Sequence, residues 1–322
     1  MSELHLGIVM DPINRITPAK DSSLTMLLEA QKRGWKISYF ELGDLRITNG
    51  EARGKARSIT VKDDNNQWFN LGKVVDIALA DLDVLLMRKD PPFDMEYIYA
   101  TYVLELAETQ GVLIVNKPQS LRDMNEKAFT AWFPQCCPDT LITRSMTDMR
   151  EFLHKHGRAV VKPLHGMGGQ SIFVIQQGDL NANVIFETLT QYESRYAMCQ
   201  GYIPEIKDGD KRIILIGGEP VAKVVARVPS ADDNRGNLVA GAKPDIRPLT
   251  DRDRWICAEV GPVLRERGII FAGIDVIGDY LTEINVTSPT GIRELRKYGD
   301  IDVAELLMSY IETLIAPRNT AG

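Results

Sequence analysis

The stretch Ala159-Val160-Val161-Lys162-Pro163-Leu164-His165-Gly166-Met167-Gly168-Gly169-Gln170-Ser171-Ile172-Phe173-Val174 decides how the chain is read. An apolar run ends in a lysine, a glycine-rich turn follows, and a second β-prone run leaves it. Glycines admit positive φ and let main-chain N–H groups approach a ligand with no Cβ in the way. Successive N–H groups in such a turn form an anion-binding concavity, and a neighbouring ammonium adds a point charge. The residues describe a strand–loop–strand phosphate clamp with Lys162 beside it. They equally describe a β-hairpin whose glycines only satisfy turn geometry. Two other nucleotide motifs are excluded. A Walker loop needs Lys-Ser/Thr after its last glycine, where this chain has Gln170-Ser171. A dinucleotide fingerprint needs a helix there, and Ser171 to Ile175 reads as a strand.

Around that stretch the composition sets bounds. At 322 residues the chain exceeds one comfortable core, so two or three subdomains are expected. Hydrophobic content of 44% and charged content of 25% suit a soluble globular protein. A net charge of -6 argues against a general nucleic-acid binder. No apolar segment approaches the ~20 residues of a membrane span, so neither nucleic acid nor membrane is expected as a partner. No secretory leader is read at the N-terminus. Cys136, Cys137, Cys199 and Cys257 show neither CxxC spacing nor a disulfide framework, and reduced thiols in a cytoplasmic protein are the simplest account.

In chain order, Leu4 to Met10 reads as a buried strand, and Asp21-Ser22-Ser23 as the cap of a helix closed by Gly34. Lys36 to Glu41 resumes a strand. This order predicts a parallel α/β unit with ligand groups at the carboxyl ends of its strands, Asp11 at the first. Ala52 to Trp68 reads as a polar hairpin turning at Asp63-Asp64-Asn65-Asn66. The strand Asp83 to Met87 ends in Arg88-Lys89-Asp90-Pro91-Pro92, which is either a binding rim stiffened by prolines or a surface turn with an Arg–Asp pair. A helix from Glu96 to Gln110 and a strand from Val112 to Val115 complete an N-terminal domain. Asn125-Glu126-Lys127 is read into the opening of a helix, with Lys127 on its first turns. A strand over Thr140 to Thr143 and a helix over Met146 to His156 precede the clamp. Tyr196 to Ile203 is a strand that suits plain core or the edge of a nucleotide base.

Lys207 to Arg212 delivers charge to the start of Ile213 to Ile216, and a Gly217-Gly218 turn leads into Val221 to Val228. Pro229 to Pro244 is long, glycine-bearing and aperiodic, as a lid would be. Asp251 to Gly268 is a helix; Ile269 to Ile277 and Tyr280 to Val286 form a closing strand pair. Asp275 stands in an apolar strand, where an unpaired charge is expensive. Glu283 and Asn285, two apart, share one strand face. Oxygens of Asp, Glu and Asn on adjacent strands are hard ligands suited to Mg²⁺ shared with phosphate. A polar solvent-facing hairpin is the bland alternative.

With Lys127, the Lys162 clamp, Arg212, Asp275 and Glu283/Asn285 in this order, the chain resembles the ATP-grasp superfamily. Gly7 to Pro12, Met87 to Phe93, Asn116-Lys117-Pro118, Asp208 to Arg212, Arg235-Gly236-Asn237 and Glu283 to Gly291 are similar to the prokaryotic glutathione synthetases. The resemblance implies an α/β protein (with α+β elements) of ATP-grasp fold behind an N-terminal parallel α/β domain. It divides the chain into a substrate domain at 1–119, a central subdomain with the flap at 120–200, and a C-terminal subdomain at 201–322 with a lid at about 228–244. It implies ATP-dependent joining of γ-glutamylcysteine and glycine, Mg²⁺ (or Mn²⁺) as cofactor, and a homotetramer.

Site residues follow from the same resemblance. ATP would meet Lys127, Lys162, Gly166, Met167, Gly168, Gly169, Gln200, Gly201, Tyr202, Ile203, Asp210 and Arg212, and metal would meet Asp275, Glu283 and Asn285. Asp11, Arg88, Lys89, Asp90, Gly236, Ser288, Pro289 and Thr290 would meet the other substrates. Lys162, Arg212, Arg235 and Asn237 would serve catalysis, the last two also holding substrate. His165 replaces an acidic residue common in the family, and Gly241 to Arg247 departs from its pattern. Two rivals remain at this point: a different ATP-grasp carboxylate–amine ligase, and a nucleotide-binding regulator without turnover, which predicts a broken metal pair.

Overall fold

The computed structural model describes residues 3–166, 168–229 and 243–316. Met167, the lid residues Arg235, Gly236 and Asn237, and the tail from Pro317 lie outside them. Three sheets follow one another along the chain.

The first sheet starts with β1 (His5–Met10), buried from Leu6 onward. Asp21 caps α1 (Ser22–Lys32), its side chain accepting from Leu24 N at 2.6 Å. β2 (Lys36–Phe40) returns parallel to β1. β3 (Leu45–Thr48), β4 (Glu51–Val61) and β5 (Phe69–Ala78) extend the sheet antiparallel. The expected turn near Asp63 is present, but the second arm of the hairpin is Phe69–Ala78, beyond the segment read for it. β6 (Val84–Arg88) pairs with the other side of β1, setting Arg88 opposite Met10. That register delivers Asp11 and the Arg88-Lys89-Asp90 rim to the carboxyl ends of adjacent parallel strands. α2 (Met95–Thr109) and β7 (Leu113–Val115) finish the sheet.

α3 (Pro118–Asp123) is short. Asn125 opens the next helical turn as expected, its side chain accepting from Lys127 N (3.1 Å) and Ala128 N (2.9 Å), but the turn is 3₁₀ and Lys127 stands at its cap. Two short 3₁₀ segments, Ala128–Trp132 and Pro134–Cys136, follow.

The second sheet is antiparallel. Its elements are β8 (Thr140–Thr143), α4 (Met146–His156), β9 (Arg158–Pro163), β10 (Phe173–Gln176), α5 (Ala182–Thr190) and β11 (Ala197–Gly201), with strand order β10-β9-β11-β8. α5 was not anticipated from the sequence.

The third sheet contains β12 (Asp210–Ile216), β13 (Glu219–Pro220), β14 (Lys223–Val228) and β15 (Lys243–Pro248). After α6 (Asp251–Glu266) come β16 (Phe271–Ile277) and β17 (Tyr280–Asn285). The order β15-β14-β12-β16-β17 puts Asp275 opposite Arg212 on one side and Glu283 on the other. β15 corrects the lid's edges: Val228 belongs to β14 and Pro244 to β15, so both ends of the 228–244 segment are sheet.

α7 (Ile292–Gly299) and α8 (Val303–Ile315) also lay outside the sequence reading. Among the described residues no helix is long and apolar enough to cross a membrane. α8 packs on α1, and Leu307, Met308 and Ile311 share a core with Leu24 and Leu27. Asn116 fastens the first sheet to the third, its Nδ2 donating to Phe271 O and Val286 O at 2.7 Å each. Its Oδ1 accepts from Ile270 N and Phe271 N at 2.8 Å.

Candidate active site

The second and third sheets face each other across a cavity of about 320 Å³. Lys162, near the end of β9, is buried, and its Nζ lies 3.3 Å from Thr282 O and 3.5 Å from Glu283 Oε1. Lys127, equally buried, donates from Nζ to Gly166 O at 2.6 Å and stands 3.6 Å from the same Glu283 oxygen. Burial alone would raise the Glu283 carboxyl; the two ammoniums outweigh it and hold it below its ordinary value. Burial also lowers Lys162, against the pull of Glu283.

The glycine turn forms the roof. Gly168 and Gly169 have φ of 64° and 76°, a conformation that favours glycine. A Cβ on Gly166 would sit 3.0 Å from Pro163 Cγ and 3.3 Å from Gln170 O. The stretch is a strand–turn–strand, as both the clamp and the hairpin readings require, and Gly166, Gly168 and Gly169 line the cavity.

On the floor, Arg212 embraces Asp275, Nη2 to Oδ2 at 2.9 Å, and Arg227 adds a contact to Oδ2 at 3.0 Å. Burial would raise the Asp275 carboxyl, but the two guanidiniums hold it far below the carboxylate range. Arg227 also pairs closely with Asp210. Burial pushes Asp210 up against that pull, and the Asp275 carboxylate adds to the rise. Asn285 donates from Nδ2 to Gly273 O at 3.0 Å and Asp275 Oδ2 at 3.2 Å, leaving Oδ1 as an acceptor.

Glu283 and Asn285 Oδ1 are hard oxygen donors on one face of β17, of the kind that suits a divalent cation, whereas both Asp275 oxygens are already held by Arg212 and Arg227. Among the described residues no group of three or more His, Cys, Asp or Glu side chains is placed to hold a metal. An ion here would need ligand oxygens to complete its shell.

The cavity's other end is apolar. Val160, Ile172, Val174, Ile206 and Ile277 line it beside Gln200, Gly201, Tyr202 and Ile203. Gln200 and Gly201 are the last residues of β11, with Tyr202 and Ile203 just beyond. An apolar lining beside the end of a strand, in one cavity with buried cations, suits a nucleoside phosphate.

The remaining expected residues fall in two groups. Asp90, Ser288, Pro289 and Thr290 line the cavity. Asp11, Arg88 and Lys89 are absent from its wall. Asp11 accepts from Asp90 N and pairs with Lys89, both at 2.9 Å. Arg88 is buried under the site, giving Nε to Ser23 Oγ at 3.2 Å and Nη2 to Pro289 O at 3.0 Å. Their effect on the cavity is through Asp90 and Pro289. Sequence reasoning passed over Arg227 and Glu126, both on the cavity wall. For Arg227 a signal existed: an arginine inside the apolar run Val224-Val225-Ala226-Arg227-Val228 needs a buried anion.

Comparison with known proteins points the same way. Residues 4–122 match the family model described as prokaryotic glutathione synthetase, N-terminal domain, and 126–300 match prokaryotic glutathione synthetase, ATP-grasp domain. A glutathione synthetase of Yersinia pestis is 53% identical over 316 residues, covering 98% of this chain and 99% of its own. One from Escherichia coli is 55% identical over 309 residues, covering 96% and 98%. Among solved structures, a D-cycloserine synthetase superposes with a TM-score of 0.66 at 12% identity, covering 97% and 99%, a likeness of fold.

Proposed function

The chain belongs to the prokaryotic glutathione synthetase family, and from that premise we propose how its own residues divide the work of the reaction. The protein is an ATP-dependent ligase that makes glutathione. Joining a carboxylate to an amine needs activation. The cysteinyl carboxylate of γ-glutamylcysteine attacks the γ-phosphorus of ATP, ADP leaves, and an acyl phosphate forms. The glycine amine then attacks the acyl carbon, loses a proton, and expels phosphate. Such chemistry asks the protein for position and charge rather than for a nucleophile.

The adenine occupies the apolar slot against Gln200 to Ile203, with Asp210 toward the ribose. Lys127 and Lys162 receive the phosphates under the Gly166–Gly169 turn. Arg212, steered by Asp275, faces the transferring phosphoryl group and spreads its charge. Asp275, Glu283 and Asn285 would hold Mg²⁺, or Mn²⁺ in its place, which neutralises phosphate charge when bound. The turn from Ser288 to Thr290, with Asp90, receives the dipeptide and glycine; Arg88, Lys89 and Asp11 support that wall. Arg235, Gly236 and Asn237, in the lid, enclose the acyl phosphate, which water would otherwise destroy. Segments 1–119, 120–200 and 201–322 then act as substrate wall, flap and metal platform.

A homotetramer, as the family resemblance implies, and a cytoplasmic setting complete the reading. The second has support in four free cysteines; burial pushes Cys137, Cys199 and Cys257 up to about 12 and Cys136 up to about 11. Light scattering at working concentration checks the mass.

The observation that carries the assignment is one carboxylate, Glu283, between two buried ammoniums and beside the Arg212–Asp275 pair, at the polar end of a slot that is apolar at the other. The test mixes the protein with Mg-ATP, γ-glutamylcysteine and glycine. Tripeptide and dipeptide-dependent phosphate release are expected; the absence of both sinks the reading.

A further inference from the structure

Glu126 stands on the cavity wall with no part in the reaction as assigned above. Its Oε1 accepts three hydrogen bonds from a single turn: Val286 N at 2.9 Å, Thr287 N at 3.0 Å and Thr287 Oγ1 at 2.8 Å. Its main-chain carbonyl accepts from Ile284 N at 2.8 Å, on β17 between Glu283 and Asn285. The flanking residues reach the opposite wall. Asn125 Nδ2 donates to Leu164 O at 3.1 Å, and Lys127 Nζ to Gly166 O at 2.6 Å. Three consecutive residues therefore grip the start of the glycine flap, the strand with the hard oxygen donors, and the turn that carries Ser288, Pro289 and Thr290.

We propose that Glu126 is a positioning residue for the carboxylate-bearing substrates, setting the Val286–Thr290 turn while its two neighbours serve the nucleotide side. The proposal deepens the ligase reading and rests on it. A carboxylate is an acceptor only, and its bonds to N–H and O–H donors are charge-assisted. Removing it leaves two main-chain N–H groups without partners in a confined turn, which must then shift to find water. Asn116 holds Val286 O at 2.7 Å and Arg88 holds Pro289 O at 3.0 Å, so the turn is pinned through its carbonyls as well, and among the described residues Glu126 alone supplies the anchor on its N–H side at Val286 and Thr287. Small displacements matter where two reactants must be held in line for transfer.

Steady-state kinetics of wild type, Glu126→Ala, Glu126→Gln, Thr287→Val and Asn125→Ala test this. In Glu126→Ala, KM for dipeptide and glycine rises about tenfold or more while KM for ATP stays within about twofold. Glu126→Gln keeps an acceptor at Oε1 and recovers most of the loss. Thr287→Val moves the same parameters in the same direction, and its effect in the double variant with Glu126→Ala is less than additive, as for contacting pairs. Asn125→Ala shifts KM for ATP instead. Calorimetry of the dipeptide with ADP present gives the same ranking without turnover.

An unchanged dipeptide KM in Glu126→Ala overturns the proposal. So does a joint rise of the ATP and dipeptide values that Glu126→Gln leaves uncorrected. If Glu126→Ala does not fold, Thr287→Val decides, and unaltered dipeptide parameters in it refute the proposal. Failure of wild type to ligate at all strikes the function reading and is told apart by that control.

Discussion

At Glu283 one oxygen serves two buried ammonium groups, Lys162 Nζ at 3.5 Å and Lys127 Nζ at 3.6 Å. Glu283→Gln keeps the shape and removes the charge, leaving both lysines without their shared anion. A fall in kcat of about 100-fold or more is expected, the scale of losing one electrostatic contributor. ATP affinity changes less, since the main-chain roof and the apolar slot are intact; calorimetry with a non-hydrolysable analogue separates the two, and undiminished turnover would remove Glu283 from the chemistry. Gly273 makes a second residue-scale case. A Cβ there would lie 2.8 Å from Arg212 Cδ and 2.9 Å from Pro289 Cβ. Gly273→Ala is expected to fold with a loss of about 1–3 kcal/mol. It would lower kcat by tilting Arg212 off Asp275; wild-type turnover in a folded variant would count against that role. Lys162, Asp275, Glu283 and Asn285 could be singled out in the sequence because each is a polar group in a telling local setting, whereas Lys127 and Arg212 took their roles from the family resemblance. Glu126 gave no such signal. Its partners Val286 and Thr287 are 160 and 161 positions away, and only folding makes them neighbours.

Elements show the same division. α1 and α4 follow their caps and apolar spacing, with Asp21 and Ser145 each accepting from the first turn of the helix. α8 had a comparable signal, Val303, Leu307, Ile311 and Ile315 at helical spacing, and went unread because motif-bearing segments drew the reading elsewhere. The helix expected through Lys127 is a 3₁₀ turn, opened by Asn125 accepting from Lys127 N and Ala128 N. Where α8 goes was not legible at all. Arg33 at the end of α1 fixes it, giving Nε to Glu29 at 2.8 Å, Nη1 to Glu312 at 2.8 Å and Nη2 to Ser309 Oγ at 2.9 Å. Burial would raise the Glu29 carboxyl, but the bonds from Arg33 and Lys32 hold it below its ordinary value. A depressed carboxyl gives stability that is present above its unfolded pKa and fades as pH falls through the folded one. Glu29→Gln is therefore expected to cost about 1.5 kcal/mol at neutral pH. The gap to wild type should close as pH drops below the ordinary glutamate range. Denaturant melts at a series of pH values read this directly, and a gap independent of pH would mean the pairing is not the cause.

Across the whole molecule, the sequential order of three α/β segments was legible, but the partnership of their cores was not. Burial patterns say which residues avoid water and leave open what they pack against. Val9, Phe40 and Tyr97 share one core with Ile213, Ile274 and Ile284, and Leu24 and Leu27 share another with Leu307 and Ile311. The first and third sheets thus form one packed body, tied further by Asn116 and Arg33. The second sheet keeps a separate, smaller core of Met149, Leu153, Val161, Ile175, Phe186 and their neighbours, all between 141 and 199. A unit with a small private core opens at lower free energy than the rest. In native-state hydrogen exchange, amides of β8 to β11 should therefore lose protection at lower denaturant than those of β1, β6, β12 and β16. A nucleotide in the cleft contacts both this unit and the third sheet, so a saturating ATP analogue stabilises the closed form by mass action, about 2.7 kcal/mol at 100 times Kd. The protection of β9 and β10 should then rise toward that of β16. Uniform exchange across all three sheets without nucleotide would show a single cooperative body, and the flap would have to move by bending its own turn.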